Sequence, residues 1–268
     1  MLHVPLITPF DATGAVAYDA LEALANEVLA SGAAGIVALG TTAEPGSLSD
    51  SEKRTVVDLI AGVCVSRRAH LIVGAGVEHA DATAALALVP PFVRPGEAGV
   101  IAYFDALAEA SPVPLIIYHV PYRTGQPLSA AAIRRLAEIP GVVGMKYAPG
   151  GIDADTIALL ADPPFQMLCG DDLFLAPMLA LGAHGGILAS AHIATAQFAE
   201  LVSAPSRELG HRLARLSSAL FAEPNPTVIK GVLHAQGRIP TPDVRLPLLP
   251  AAKSNLTLPL RESLASST

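Results

Sequence analysis

Tryptophan is absent from this 268-residue sequence, and aromatic residues make up only 4% of it. Cysteine occurs twice, at Cys64 and Cys169, and neither lies in a CxxC pair or beside a histidine at metal-ligand spacing. That excludes a disulfide scaffold and leaves two small, buried apolar residues in a reducing compartment as the plain reading. The eight histidines show no HxH or HExxH spacing, so no metal site is expected. Lysine and arginine are scattered rather than clustered, and the formal net charge is −7. A nucleic-acid surface needs a basic stripe and is therefore not expected. No apolar run reaches the roughly 18 residues of a membrane span. The opening MLHVPLITPF lacks a basic n-region and carries Pro5, unlike a signal peptide. No GxGxxG follows the first strand-like run, and GAGVEH (74–79) is too weak a substitute, so a dinucleotide site has no support. These absences lead to the expectation of a cytoplasmic protein that needs no cofactor.

What is present is a large apolar fraction, 51%, in an alternating pattern. Strand-like runs occur at 4–8, 35–40, 70–74, 115–120, 142–148, 165–170 and 185–190, with another inside ALALVPPF (85–92). Helical patterns lie between them at 18–31, 49–65, 129–139 and 173–183, the second opened by Ser49 as an N-cap candidate. Strand and helix in alternation mean parallel strands with helical crossovers, and near-continuous apolar strands mean that both sheet faces are covered. Eight such strands in a chain of this length point to a TIM (β/α)8 barrel, with a doubly wound sheet as the alternative. The expected organisation is a barrel over 1–192, a helical extension over 193–250, and a partly disordered tail over 251–268.

One interval is too short for this plan. Only thirteen residues, 77–89, separate Gly76 from Pro90, and they must also supply most of strand four. A helical crossover needs at least about 10–12 residues. Either the third crossover helix is missing or reduced to a turn, or ADATAALAL is that helix and strand four is very short.

The chain has four lysines. Lys53 sits in a charged helical turn, Lys230 in a late helix and Lys253 in the tail, all ordinary places. Lys146 lies inside the apolar strand VVGMKYA, where alternation puts Val142, Gly144, Lys146 and Ala148 on one face. A desolvated lysine becomes a usable amine nucleophile; the plainer reading is a lysine paired with a carboxylate or snorkelling at a strand end. Gly144 is expected to leave it room. Tyr118 in LIIYHV alternates onto one face with Ile116 and Val120, where it either packs or moves protons. GTTAE (40–44) offers hydroxyls and backbone N–H groups at a strand's carboxyl end, where barrel active sites lie, or simply starts a helix. Arg123, on the loop after the fifth strand, can hold a carboxylate in bidentate fashion or stand solvated. CGDD (169–172) reads as an acidic helix cap, more structural than catalytic.

LITPFDATGAV, GTTAEPGSLSDSEK, IIYHVPYRTG, GVVGMKYAPG, CGDD, GAHGGILASA, EPNPTVIKG and RLPLLP together cover nearly the whole chain. In these motifs the sequence resembles the dihydrodipicolinate synthase/N-acetylneuraminate lyase family. The resemblance implies a TIM barrel, a homo-oligomer (dimer or tetramer) and a lyase or synthase that forms a Schiff base with pyruvate. It places the Schiff-base lysine on Lys146, the proton-relay tyrosine on Tyr118, the relay threonine on Thr41 and the carboxylate-binding threonine on Thr42. Gly170 and Ile187 match backbone positions lining the pyruvate pocket. Arg123 matches the arginine of the synthase branch, which condenses pyruvate with aspartate semialdehyde in lysine biosynthesis. Three departures stand out. Phe92 replaces a tyrosine that reaches the neighbouring subunit's relay, the third helix is shortened, and TGES has become TAEP with Ala43 and Pro45. Pro45 and Pro91 fall where regulated synthases bind feedback lysine, so that inhibition is not expected. Two alternatives stay open: an aldolase of the family acting on a 2-keto-3-deoxy sugar acid or hydroxy-oxoglutarate, which His119 and Phe92 permit, and an impaired relative that only binds a keto acid.

Overall fold

The computed structural model of the chain describes residues 1–74, 76–257, 259 and 261. In chain order the elements are β1 Leu2–Pro5, α1 Tyr18–Ala30, β2 Gly35–Ala38, α2 Asp50–Arg67, β3 His70–Gly74, β4 Ala84–Leu88, α3 Gly96–Ala110 and β5 Leu115–His119. Then follow α4 Pro121–Thr124, α5 Ala130–Ala137, β6 Val142–Tyr147, α6 Ala154–Ala161, β7 Gln166–Cys169, α7 Leu175–Leu181, β8 Gly185–Ile187, α8 Ala191–Ser203, α9 Arg207–Leu220 and α10 Thr227–Ala235. All eight strands are parallel and close in sequence order, β8 returning to β1 through Leu2↔Gly186 and His3↔Ile187. Closure decides for the TIM barrel and against the doubly wound sheet. No helix among the described residues is long and apolar enough to cross a membrane.

Several strands stop earlier than their apolar runs. Leu6 and Ile7 lie beyond β1, and Leu188 and Ala189 lie beyond β8, yet all four are buried. Leu6 and Leu188 still donate to the Val37 and His3 carbonyls of the neighbouring strands, so the apolar runs mark burial that continues past the strand ends. Helix starts were more legible. Ser49 caps α2 in a full capping box, its hydroxyl accepting from the Glu52 N–H while the Glu52 carboxylate accepts from the Ser49 N–H.

Between β3 and β4 the described residues 76–83 form turns, and ADATAALAL runs directly into β4. Among the described residues the third crossover helix is thus missing, the first of the two outcomes the short interval allowed. The barrel still closes, through Ile72↔Ala84, Val73↔Ala85 and Gly74↔Leu86. Where the helix would lie, a groove of about 460 Å³ runs between Val77, Ala85, Leu107 and Leu115.

Two apolar layers surround the sheet. Val37, Ile72, Leu86, Ile116, Tyr118, Leu168 and Ile187 fill the bore, and a larger cluster lies between the strands and the helices. Strand β6 obeys alternation with one exception. A bulge opposite Leu115/Ile116 pairs Val142 with Leu115 and Gly144 with Ile116. Val142 therefore joins the outer layer with Met145 and Tyr147, while Ala148 joins the bore. The expected four-residue face is shortened by its first member.

Beyond α8, which packs on β1, helices α9 and α10 continue the chain, and α9 rests on α7 and α8. Of the expected disordered tail, residues 251–257 are described and include a 3-10 turn at Lys253–Leu256; apart from residues 259 and 261, the rest lies outside the described residues. Helix α10 also holds a buried charge the sequence did not disclose. Lys230 is fully buried, donates to the Glu44 carboxylate and to the Asp243 carbonyl, and lies 4.0 Å from the centre of the Phe10 ring. Burial pulls its pKa down to about 8 against the opposing pull of Glu44. Lys230 is therefore no ordinary helical lysine, and Lys146 is not the chain's single buried one. Removing one member of a buried pair leaves the other charge uncompensated. Lys230→Ala is expected to lower unfolding free energy by about 3–5 kcal/mol. Lys230→Met combined with Glu44→Gln should recover most of that loss. Urea unfolding of the three variants checks this; equal losses in single and double variants would count against the pair.

Candidate active site

The carboxyl ends of the strands form one mouth, and the sequence-selected residues arrive there from separate strands. Strand register sets Tyr118 of β5 beside Lys146 of β6 and Lys146 beside Leu168 of β7. Lys146 is 5% exposed, with its Nζ 4.3 Å from the centre of the Tyr118 ring. Among the described residues no carboxylate lies within ion-pair distance of that amine. This separates the two buried lysines: Lys230 is closed off by its partners, whereas Lys146 faces the bore with an aromatic face beside it.

Room for Lys146 comes from a glycine other than the one expected. A Cβ on Gly170, just past β7, would stand 2.8 Å from the Lys146 Cγ and 3.1 Å from its Cε. A Cβ on Gly144 would instead strike the Gln166 carbonyl oxygen at 2.8 Å, so Gly144 serves strand packing. Ile187, the last residue of β8, is fully buried in the bore layer.

A cavity of about 710 Å³ opens beside this cluster, lined by Gly40, Thr41, Leu86, Leu88 and Tyr118 among others. Thr41 is exposed at its mouth and Thr42 is buried beneath. Both lie in a 3-10 turn, Thr41–Ala43, that ends on Glu44 in the left-handed region at φ 54°. That conformation is strained for a residue with a side chain. It is held from several sides: the Thr8 hydroxyl donates to the Ala43 carbonyl, Lys230 and the Arg245 N–H donate to the Glu44 carboxylate, and Asn225 Nδ2 donates to the Thr42 hydroxyl at 2.9 Å.

The structure brings Lys146, Tyr118, Thr41, Thr42, Gly170 and Ile187 to one end of the barrel. Arg123 also lies at this end, in α4, but at the exposed rim, its guanidinium carbon 5.8 Å from the centre of the Tyr122 ring. A family model for the dihydrodipicolinate synthetase family matches residues 1–261, the same span that builds this mouth.

The chain belongs to the dihydrodipicolinate synthetase family.

Its relatives agree. It is 36% identical to the 4-hydroxy-tetrahydrodipicolinate synthase of Neisseria meningitidis serogroup B, over 94% of this chain and 93% of that one. The synthase of Thermosynechococcus vestitus is also 36% identical, with 92% and 90% covered. The crystal structure of the chloride-inhibited dihydrodipicolinate synthase from Acinetobacter baumannii complexed with pyruvate is 34% identical. It superposes with a TM-score of 0.89, covering 99% of this chain and 97% of that one.

Within this family member, two acidic residues do more than the sequence suggested. Neither aspartate of CGDD caps a helix through its side chain. Asp171 accepts from the Gly150 N–H at 2.8 Å and from the Tyr122 hydroxyl at 3.1 Å, tying together the loops after β5, β6 and β7. Asp172 accepts from the Ser190 N–H and so ties β7 to the loop after β8. Burial raises both carboxyls, Asp172 to about 6, while the nearby charge of Lys146 pulls each back. The charge of Arg123 also lowers Asp171, from beyond ion-pair distance. Tyr122, raised by burial and by Asp171, keeps its proton. A cavity of about 550 Å³ lies behind this bracing, bounded by Tyr122, Gly170, Asp171 and Phe174.

His119 ends on the other side of the sheet. It is buried and stacked on Tyr147, with ring centres 5.8 Å apart, in the layer facing the helices. Its identity therefore does not shape the bore, which removes one of the two supports for a different aldehyde. Phe92, the other support, stands 86% exposed in the left-handed region, beside the 76% exposed Val93. Sequence reasoning missed Asn225, Lys230 and the bracing role of Asp171. EPNPTVIKG was the available signal, but only the tertiary fold says that it reaches Thr42.

Proposed function

We propose that the protein condenses pyruvate with aspartate semialdehyde through a Schiff base on Lys146. One observation carries the reading: in a chain of this family, the Lys146 amine is buried in the barrel mouth without a carboxylate partner and faces Tyr118. Its lone pair adds to the pyruvate ketone, giving a carbinolamine that loses water to form the imine. Tyr118 and Thr41 carry the protons, in roles worth about 10²–10⁴-fold. The Thr42 hydroxyl donates to the pyruvate carboxylate, and the backbone at Gly170 and Ile187 lines its pocket. The imine withdraws electrons from the methyl carbon, which gives up a proton. The resulting enamine carbon bonds to the aldehyde carbon, whose oxygen takes up a proton. No cofactor is required, because the imine itself is the electron sink.

Arg123 takes the carboxylate of the aldehyde substrate at the rim. Arg123→Ala is expected to raise KM for an anionic aldehyde by about 10- to 100-fold, the worth of one charge-assisted hydrogen-bond pair. Pyruvate capture should stay unchanged. Steady-state kinetics in the two substrates checks this, and an unchanged aldehyde KM would favour a neutral polyol substrate instead. The exposed Phe92–Val93 pair supports a homo-oligomer, dimer or tetramer, in which those side chains are covered. The two free, buried cysteines suit a cytoplasmic location.

The test is intact mass after borohydride reduction. With pyruvate, one reduced adduct on Lys146 is expected. With a panel of aldehydes, turnover should favour aspartate semialdehyde. No adduct at any pyruvate concentration would overturn the proposal.

A further inference from the structure

Asn225 lies in the loop between α9 and α10, 183 residues beyond Thr42, yet its Nδ2 donates to the Thr42 hydroxyl oxygen at 2.9 Å. That direction matters. A hydroxyl has one hydrogen to give and lone pairs to receive. With a lone pair occupied by Asn225, the Thr42 hydrogen is free to be given elsewhere. Thr42 is 2% exposed, and no other hydrogen bond to its side chain is present among the described residues. The remaining atom of the amide sharpens the point. Asn225 Oδ1 is buried and has no donor among the described residues. Buried acceptors left without partners are uncommon in folded proteins. The Thr42 hydroxyl is the donor this oxygen would capture if the amide turned over.

We propose that Asn225 is a positioning residue that fixes the Thr42 hydroxyl as a donor to the carboxylate of the keto-acid substrate. The inference rests on the reading of Lys146 and Thr42 given above. Asn225 does not touch the substrate; it acts through Thr42. The Thr41–Ala43 turn is anchored independently, by Thr8 on Ala43 and by Lys230 and Arg245 on Glu44, so a change at Asn225 alters the direction of the hydroxyl more than the path of the backbone. Asn225 thereby gives the loop after α9 a part in substrate capture, although it stands outside the barrel strands.

Asn225→Asp is nearly isosteric and replaces the donor with a second acceptor. Both oxygens at that position then compete for the Thr42 hydrogen and turn it away from the ligand. The experiment is borohydride trapping on the full chain at graded pyruvate concentrations, read as adduct mass on Lys146. For Asn225→Asp, the pyruvate concentration giving half-maximal trapping is expected to rise about 10- to 100-fold, the scale of a charge-assisted hydrogen bond. Trapping at saturation should stay complete, which also shows that the variant is folded. Asn225→Ala, which removes the donor without adding a competitor, should give a smaller rise. Thr42→Val should raise half-saturation by itself, and adding Asn225→Asp to it should produce no further change, because the effect passes through Thr42. Unshifted half-saturation in Asn225→Asp, or an additive effect in the double variant, overturns the positioning role while leaving Lys146 chemistry standing. Absence of any adduct in the parent protein overturns the Lys146 reading and this inference with it.

Discussion

Lys146→Ala is expected to take up no pyruvate mass after borohydride reduction and to lose turnover by on the order of 10⁴-fold or more, the scale on which removal of a covalent nucleophile acts. Both Lys146 and Lys230 are buried, but Lys230 is bound by the Glu44 carboxylate and the Asp243 carbonyl and covered by Phe10. An amine so engaged has no lone pair to offer to a ketone without breaking the pair. Lys146 has the Tyr118 ring 4.3 Å away, and among the described residues no carboxylate is paired with it. Its removal therefore breaks no ion pair, and the variant should fold; Asp171 and Asp172, which the Lys146 charge holds down, should rise further. Peptide mapping of the reduced parent protein should place the adduct on the 146-containing peptide. Full turnover in Lys146→Ala, or an adduct on Lys230, would end the Schiff-base reading.

Mild acid should weaken the fold already between about pH 6 and 4.5, where buried histidines resist protonation. His3, His119 and His192 are each at most 2% exposed. Burial is the main cause that lowers all three from 6.5, to about 3 for His3 and to about 4 for His119 and His192. The His70 ring, stacked on His3 at 5.5 Å, lowers that group further. Geometry fixes the neutral form at His192. Its Nε2 accepts the Ile7 N–H at 3.1 Å while Nδ1 faces the Ala189 carbonyl at 2.7 Å, so a second proton would remove a backbone hydrogen bond. Folded-state values below the unfolded one mean that the unfolded chain binds more protons. Stability from these groups is complete above about pH 6.5 and is lost as pH falls toward 4. Each contributes up to about 1.4 kcal/mol per pH unit in that window.

Asp172 acts with the opposite sign. Its folded value, raised from 3.8 to about 6, adds stability as pH falls between those limits and cancels the slope of about one histidine. The net expectation is a loss of about 2–3 kcal/mol per pH unit between pH 6 and 4.5. Urea unfolding at a series of pH values measures it. A flat profile from pH 7 to 5 would show that the three rings do not stay neutral in the fold.

The two results draw on different levels of the molecule. The acid response depends on rings that no local pattern marks as buried: His3 ends at the barrel floor, His119 behind the sheet, and His192 one helical turn past β8. Lys146 was legible because its strand is short and apolar, and a lysine in such a run is conspicuous. Even there the bulge in β6 moved Val142 to the other layer, and the space around Lys146 came from Gly170, just past the neighbouring strand.

The sequence by itself determined the parallel alternation of strand and helix, the shortness of the third crossover, the capping box at Ser49, and the candidates Lys146, Tyr118, Thr41 and Thr42. Each follows from periodicity, spacing or local hydrogen bonding, which act over a few residues, or from motifs spread over nearly the whole chain. Only the tertiary structure decided that Lys230 rather than Lys146 is ion-paired, that Asp171 braces three loops instead of capping a helix, that His119 leaves the bore, and that Asn225 reaches Thr42. Those contacts join residues as far as 186 positions apart. Their energies depend on desolvation and on which partner closure of the barrel supplies, and neither quantity is written in the residues nearby.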